Sequence, residues 1–308
     1  MIQPKSRNVA ALLILLWIVL PRDALCQDLE PRRWTPLPIG TNVLGIGIAN
    51  IEGDILFDPV LLVEDAKFDA KTAGVSYVRS FSLAGKTARF DVLVPWLNAR
   101  WEGLLDGVPT TVKRVGLGDS RLRLSVNLLG PPPMKPGQYR EYMASHPVRT
   151  VAGVAIAVWV PTGEYQDDKL LNLGQNRFIF RPQAGVVHTR GPWSYELTAS
   201  AFLFTDNDDF WNGNSREQDP LYAVQTHVVH TFKSHLWASL SAGYGWGGRS
   251  QVNDVLKDDM KGDLLAALSL GFPIAQNQSL KFAWVRGRTR KDIGADTDTL
   301  AAAWSWRF

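Results

Sequence analysis

The 308-residue chain holds a single cysteine, Cys26, so no disulfide framework within one copy and no thiolate metal site can be built from it. It has five histidines, His146, His188, His227, His230 and His235, and no serine accompanies them in a nucleophile motif such as G-x-S-x-G. His227 and His230 are three positions apart, which in a strand puts them on opposite faces, unable to share a metal. Beyond residue 26 no apolar run approaches the roughly 18 residues that a membrane-crossing helix needs. Charge of one sign is lacking too. With 33 Lys and Arg against 30 Asp and Glu, the formal net charge is +3, and nothing in it suggests nucleic-acid binding.

What is present begins at the N-terminus. Lys5 and Arg7 precede an unbroken apolar run, Val9 to Leu20, followed by Pro21 and by Ala24-Leu25-Cys26. This is the layout of a secretory signal peptide, residues 1–26, cleaved before Gln27. The twelve apolar residues of Val9–Leu20 are too few for a helical anchor across roughly 30 Å of hydrocarbon. Leu25 argues against a lipidated Cys26, because lipoprotein signals resemble one another in a small residue just before the cysteine. Cleavage removes Lys5, Arg7, Arg22 and Asp23, a net +2, so the mature chain carries +1. The expected route is Sec export.

Residues 27–41 are proline-rich and unpatterned and read as an N-terminal periplasmic arm. From residue 42 onward a two-residue period takes over. Leu44, Ile46 and Ile48 alternate with Gly45, Gly47 and Ala49. Leu122, Leu124 and Val126 alternate with Arg121, Arg123 and Ser125, and Tyr222, Val224 and Thr226 with Ala223, Gln225 and His227. Alternate side chains of a strand point to opposite faces. Strands are expected from Asn42 and from near Ala73, Thr87, Gly118, Thr150, Asn176, Trp193, Leu221, Leu236, Gly262, Ser279 and Thr299, about twelve in all. The connections run short at 84–86, 190–192, 233–235 and 275–278 and long at 164–175, 206–220 and 248–261. One long segment, 131–149, breaks the alternation, carries PPPMKPG, and has room for a short helix at Tyr139–Ala144.

The final strand, Thr299–Phe308, puts Leu300, Ala302, Trp304, Trp306 and Phe308 on one face. A terminal Phe with aromatics two and four residues before it resembles the closing strand of bacterial outer-membrane β-barrels. That resemblance implies that Trp304, Trp306 and Phe308 are read by the barrel-assembly machinery. The 12 Trp and 26 Gly suit aromatic girdles and tight turns. The expected fold is all-β: a transmembrane antiparallel up-and-down β-barrel of about twelve strands, formed by residues 42–308 without an internal domain boundary. Its surroundings would be outer-membrane lipid and lipopolysaccharide.

Three local motifs go further. Gly116-Leu117-Gly118-Asp119 opens an Arg-bearing strand, Val160-Pro161-Thr162-Gly163 ends the next, and Asn172-Leu173-Gly174-Gln175-Asn176-Arg177 opens the one after. Their order, with Trp306-Arg307-Phe308 at the end, resembles the outer-membrane transporter family of the phenol-degradation meta pathway. The resemblance implies passage of small, often aromatic or hydrophobic compounds. The proline run Pro131–Pro136 departs from it.

By strand parity the lumen candidates are Arg89, Asp91, Arg121, Arg123, Arg181, Gln183, Glu196, Gln225, His227 and Lys281. They can line a narrow passage, or pair with one another and plug it. The second outcome would make the chain a structural or interaction barrel. Hydrolysis on the barrel wall is the least supported alternative, and no cofactor is indicated. The Asp-rich loops (Asp206, Asp208, Asp209; Asp254, Asp258, Asp259) read as solvated polar ends, with Ca²⁺ as the less favoured reading.

Overall fold

The computed structural model describes residues 29–56 and 63–308, so the expected signal peptide lies outside the described residues. In order the chain forms β1 (Asn42–Leu56), β2 (Val63–Leu83), β3 (Lys86–Leu105), β4 (Val108–Leu117), β5 (Ser120–Leu129), α1 (Pro136–Ser145), β6 (Val148–Val160), β7 (Ile179–Arg190), β8 (Trp193–Phe204), β9 (Asn207–Phe210) and β10 (Asn214–Gln218). It continues with β11 (Leu221–Thr231), β12 (Trp237–Gly247), β13 (Ser250–Val252), β14 (Val255–Leu256), β15 (Lys261–Ala275), β16 (Gln278–Thr289) and β17 (Gly294–Arg307). Strands β1, β2, β3, β5, β6, β7, β8, β11, β12, β15, β16 and β17 pair antiparallel in that order. β17 then pairs with β1 from Val43↔Arg307 to Leu56↔Gly294, which closes a twelve-stranded barrel. The ends meet at Asn42 and Phe308, each amide donating to the other's carbonyl at 3.0 and 2.9 Å.

Closure leaves the twelve barrel strands without an edge in the membrane, and among the described strands of this sheet only β4, above the membrane, pairs on one side. It also separates two environments. Outward residues such as Ile48, Leu240 and Leu300 are 62%, 61% and 63% exposed, while inward Ser241, Ser269 and His227 are each 2% exposed. Trp193, Phe232, Trp306 and Phe308 ring one end of the outer face, and Trp96, Tyr222, Trp246 and Trp284 the other. An apolar belt with an aromatic girdle at each end is the exterior of a transmembrane barrel. The short turns, among them Ala84-Gly85 with φ of 47° and 72°, lie at the end carrying Asn42 and Phe308, which is therefore the periplasmic end.

The strands expected near Ala73 and Thr87 are longer than their apolar pattern. The stretch 54–72 is largely strand, since β2 starts at Val63 and runs 21 residues, roughly 70 Å of chain at about 3.3 Å per residue. β3 likewise continues to Leu105 and turns through Asp106-Gly107, with φ of 51° and 74°, into β4. Both hairpins rise well above an apolar band of about 25 Å. Past that band the outer face meets water and carries Glu52, Asp54, Lys67, Arg100 and Glu102, which erases the apolar half of the period. The inner face stays apolar. β4 and β5 amount to one strand broken at Gly118-Asp119: β4 pairs with Trp96–Leu105 of β3, and β5 with Ala88–Leu93.

The other extracellular loops add a small sheet in the order β14-β13-β10-β9. The Asp-rich tips are tied into it: Asp259 accepts from the Ser250 amide and hydroxyl at 2.8 and 2.7 Å, and Asp208 from Ser215 at 3.2 Å. On the periplasmic side α1 covers the expected helix and starts three residues earlier, at Pro136, whose fixed φ suits a first helical position.

Candidate functional site

The residues expected to form an N-terminal periplasmic arm instead run up inside the barrel, and the reason lies in the inner wall. Gly153 of β6 and Gly185 of β7 are register partners on the inner face. A Cβ built at Gly185 would come within 2.1 Å of the Trp34 ring, and one at Gly153 within 3.1 Å. Two missing side chains thus make a slot for an indole. Trp34 fills it at 1% exposure against Val151, Ala155 and Val187, and donates Nε1 to the Thr198 hydroxyl at 2.7 Å. The Arg32 amide donates to both Glu196 carboxylate oxygens at 2.9 and 3.0 Å. Leu29 packs on Leu265 and Ala267 over Gly243. Glu30 pairs with Arg33.

The irregular connection 131–149 holds the base of this arm. The Ile39 amide donates to the Met134 carbonyl at 2.9 Å, and the Tyr139 hydroxyl of α1 donates to the Pro36 carbonyl at 2.7 Å. Burial pushes the Tyr139 phenol above its ordinary pKa, so it remains a donor across physiological pH. Ser80 of β2 closes the other flank, its hydroxyl donating to the Pro38 carbonyl.

The sequence-derived lumen residues fall into groups on the inner wall. Asp91 accepts from Arg89 Nε at 2.9 Å and from Arg123 Nη1 at 3.1 Å, and Arg123 Nε donates to Gln183 at 3.0 Å. The Arg123 guanidinium also lies 5.3 Å over the Trp34 ring, so the wall network and the arm are one unit. Arg181 stacks on Phe202 at 4.5 Å. Glu196 is held under Arg32, and His227 Nδ1 is 2.8 Å from the Ser241 hydroxyl. Gln225 is buried beside Gly243 near Leu29. Arg121, which lies 5.9 Å over Trp159, and Lys281 face the open space above the arm. Trp304 donates to Gln278 at 3.0 Å, while Trp306 and Phe308 stack at 4.7 Å on the outer face. His230 is on that outer face as well, edge-on to Trp193.

The three motifs meet at Asp119. Its Oδ1 accepts from the Gly163 amide at 3.0 Å and its Oδ2 from the Gln175 amide at 2.8 Å, drawing together both stems of loop 161–178. Thr162 accepts from the Ser120 amide at 2.9 Å. Gly163 and Gly174 touch backbone to backbone, a Cβ on either coming within about 2.8 Å of the other, so larger residues would part the stems. Glu164 lies across Gly116, where a Cβ would sit 2.1 Å from its carboxylate. The loop then folds across the mouth, putting Leu171 on Ile55 and Ala66, and Leu173 on Ile51, Ala70 and Ala99, with Phe68 and Trp101 beside both. Asn172 closes the tip by binding the Gln166 amide and carbonyl, and Arg114 Nε donates to the Leu171 carbonyl at 3.0 Å.

Between loop and arm lies a chamber of about 620 Å³. Its floor is Leu29, Glu30 and Arg33 and its roof Asn172 to Gln175. Its walls are largely apolar, including Ile51, Phe68, Leu97, Trp101, Trp159 and Val285, with Arg89, Asp91, Arg121 and Lys281 spaced among them.

Fold and exterior together define an outer-membrane β-barrel with an internal chamber. The chain belongs to the family described as "Putative MetA-pathway of phenol degradation", whose model matches residues 58–296. Its fold is similar to that of the COG4313 outer membrane channel from Pseudomonas putida F1, with a TM-score of 0.75 and 20% identity over 91% of this chain and 100% of that one. The transport unit of the autotransporter AIDA-I from Escherichia coli has a TM-score of 0.49 and 10% identity, covering 99% of this chain and 100% of that one, too distant to carry an argument. No curated protein matches the sequence.

Proposed function

We propose that the protein is an outer-membrane channel for small hydrophobic or aromatic compounds, which pass through the chamber between the extracellular loop and the arm. The observation that carries this reading is the chamber itself. Its volume of about 620 Å³ falls in the range of roughly 300–1,000 Å³ typical of small-molecule sites, and its lining is apolar with a few placed charges. Such a lining takes up an aromatic solute by removing apolar surface from water, and Lys281 on the chamber wall can meet a polar substituent. The family's description points to aromatic compounds as well. In this reading the chain is exported by the Sec route. The assembly machinery recognises Trp304, Trp306 and Phe308, and the belt is embedded among lipid and lipopolysaccharide.

A second reading, a non-conducting structural or interaction barrel, is favoured by the arm, which occupies the lumen below the chamber and is bound into the Arg123–Asp91 network. Bilayer conductance, liposome swelling and growth on aromatic carbon sources separate the two. A channel gives solute-dependent swelling, and Arg121→Ser/Arg123→Ser alters its selectivity or size cutoff. Zero conductance in both proteins, with no growth defect when the chain is absent, supports the interaction barrel.

A further inference from the structure

We infer that Asp119 is the positioning residue of an extracellular cover: by clamping both stems of loop 161–178 it holds Leu171 and Leu173 over the chamber and controls solute entry from outside. The inference deepens the channel reading and rests on it.

Asp119 stands where β4 gives way to β5, at the break in the barrel's fourth strand. A β-strand running through this point would direct its side chain along the wall; the break lets the carboxylate reach two backbone amides from opposite stems. These charge-assisted bonds are stronger than the neutral ones elsewhere in the loop. Around them the neck is tight because it is made of glycine, Gly163 against Gly174. The tip is held differently, by two leucines on an apolar shelf, by Arg114 on a single carbonyl, and by single bonds to the neighbouring loop, from the Asn212 amide to the Asp167 carbonyl at 2.7 Å and from the Tyr165 hydroxyl to the Asp209 carbonyl at 3.1 Å. Such contacts favour the closed position, but an apolar solute entering the chamber can replace them. Loosening the neck frees the tip, and the shelf it vacates (Ile51, Phe68, Trp101) is continuous with the chamber wall.

The test uses the full chain with Cys26→Ser and a reporter, Val285→Cys, on the chamber wall, exposed on whole cells to a membrane-impermeant thiol reagent. With Asp119 intact, labelling is slow. Asp119→Ala speeds it on the order of tenfold or more, the effect of losing bonds to a charged group. Asp119→Asn, which keeps one acceptor, falls between. Gly163→Val, which leaves Asp119 in place but forces the stems apart, speeds labelling too. The heat-modifiable gel shift of each variant reports barrel formation. Equal labelling rates in folded Asp119→Ala, Gly163→Val and the parent overturn the inference, as does a parent already labelled at the variants' rate. Labelling does not require transport. A cover that responds to Asp119 in a barrel that conducts nothing would therefore defeat the channel reading and leave only the clamp of Asp119 on the loop standing.

Discussion

The two ends of the chamber are covered by different means. At the periplasmic end the arm is held by a large buried aromatic in a slot cut for it, with Glu196, Thr198 and the α1 segment as further ties. At the extracellular end the loop is held by the Asp119 carboxylate, a glycine contact, two leucines that are only partly buried, and single hydrogen bonds such as those from Arg114 to the Leu171 carbonyl and from the Asn212 amide to the Asp167 carbonyl. Burying an indole at 1% exposure contributes about 3–5 kcal/mol in a single anchor, whereas each outer hydrogen bond contributes about 0.5–3 kcal/mol and can be exchanged for a bond to water one at a time. The difference teaches that the outer cover is the easier to open and the inner one the more firmly anchored.

That contrast can be broken in order of expected effect. Trp34→Ala empties the slot, and by analogy with other large-to-small core changes should cost about 3–5 kcal/mol of the arm's attachment. Limited proteolysis from the periplasmic side should then cut near residue 34 while the barrel stays intact. Gly185→Leu attacks the same slot from the wall and should release the arm similarly, because its Cβ alone would overlap the indole. Glu196→Gln leaves the Arg32 amide one neutral acceptor oxygen in place of two carboxylate oxygens. It should weaken the arm by about 1–2 kcal/mol, seen as faster hydrogen exchange at the Arg32 amide. Tyr139→Phe removes the single bond to Pro36 and should cost about 1 kcal/mol, with exchange raised only near residues 36–39. Should Tyr139→Phe release the arm as fully as Trp34→Ala, the picture of a slot-held arm fails.

Much of the barrel was legible in the sequence because lipid imposes a rule on every second residue: Leu240, Leu264 and Leu300 must be apolar, and their neighbours need not be. The strand order, the closure at Phe308 and the short turns follow from that rule. It stops at the membrane surface, which is why β2 and β3 run longer than their apolar pattern, although Asp106-Gly107 is a hairpin signal that could have been read. The arm was not legible at all. Trp34 sits in a proline-rich stretch without period, and its partners, Gly153 and Gly185, are about 120 and 150 residues away in sequence. Two inward glycines at one register level mark a slot only once the strands are paired. The motifs around Asp119 were visible as motifs, but their convergence depends on a strand break that periodicity alone does not reveal. The inward charges were legible by parity; their partners were not.

The central claim is that two separately held covers stand in series on one chamber. Single-channel conductance of the parent, Trp34→Ala, Asp119→Ala and the double variant tests it directly. Covers in series predict low conductance in the parent and in each single variant, and a large, sustained conductance only when both are released. Full conductance in either single variant would contradict the account.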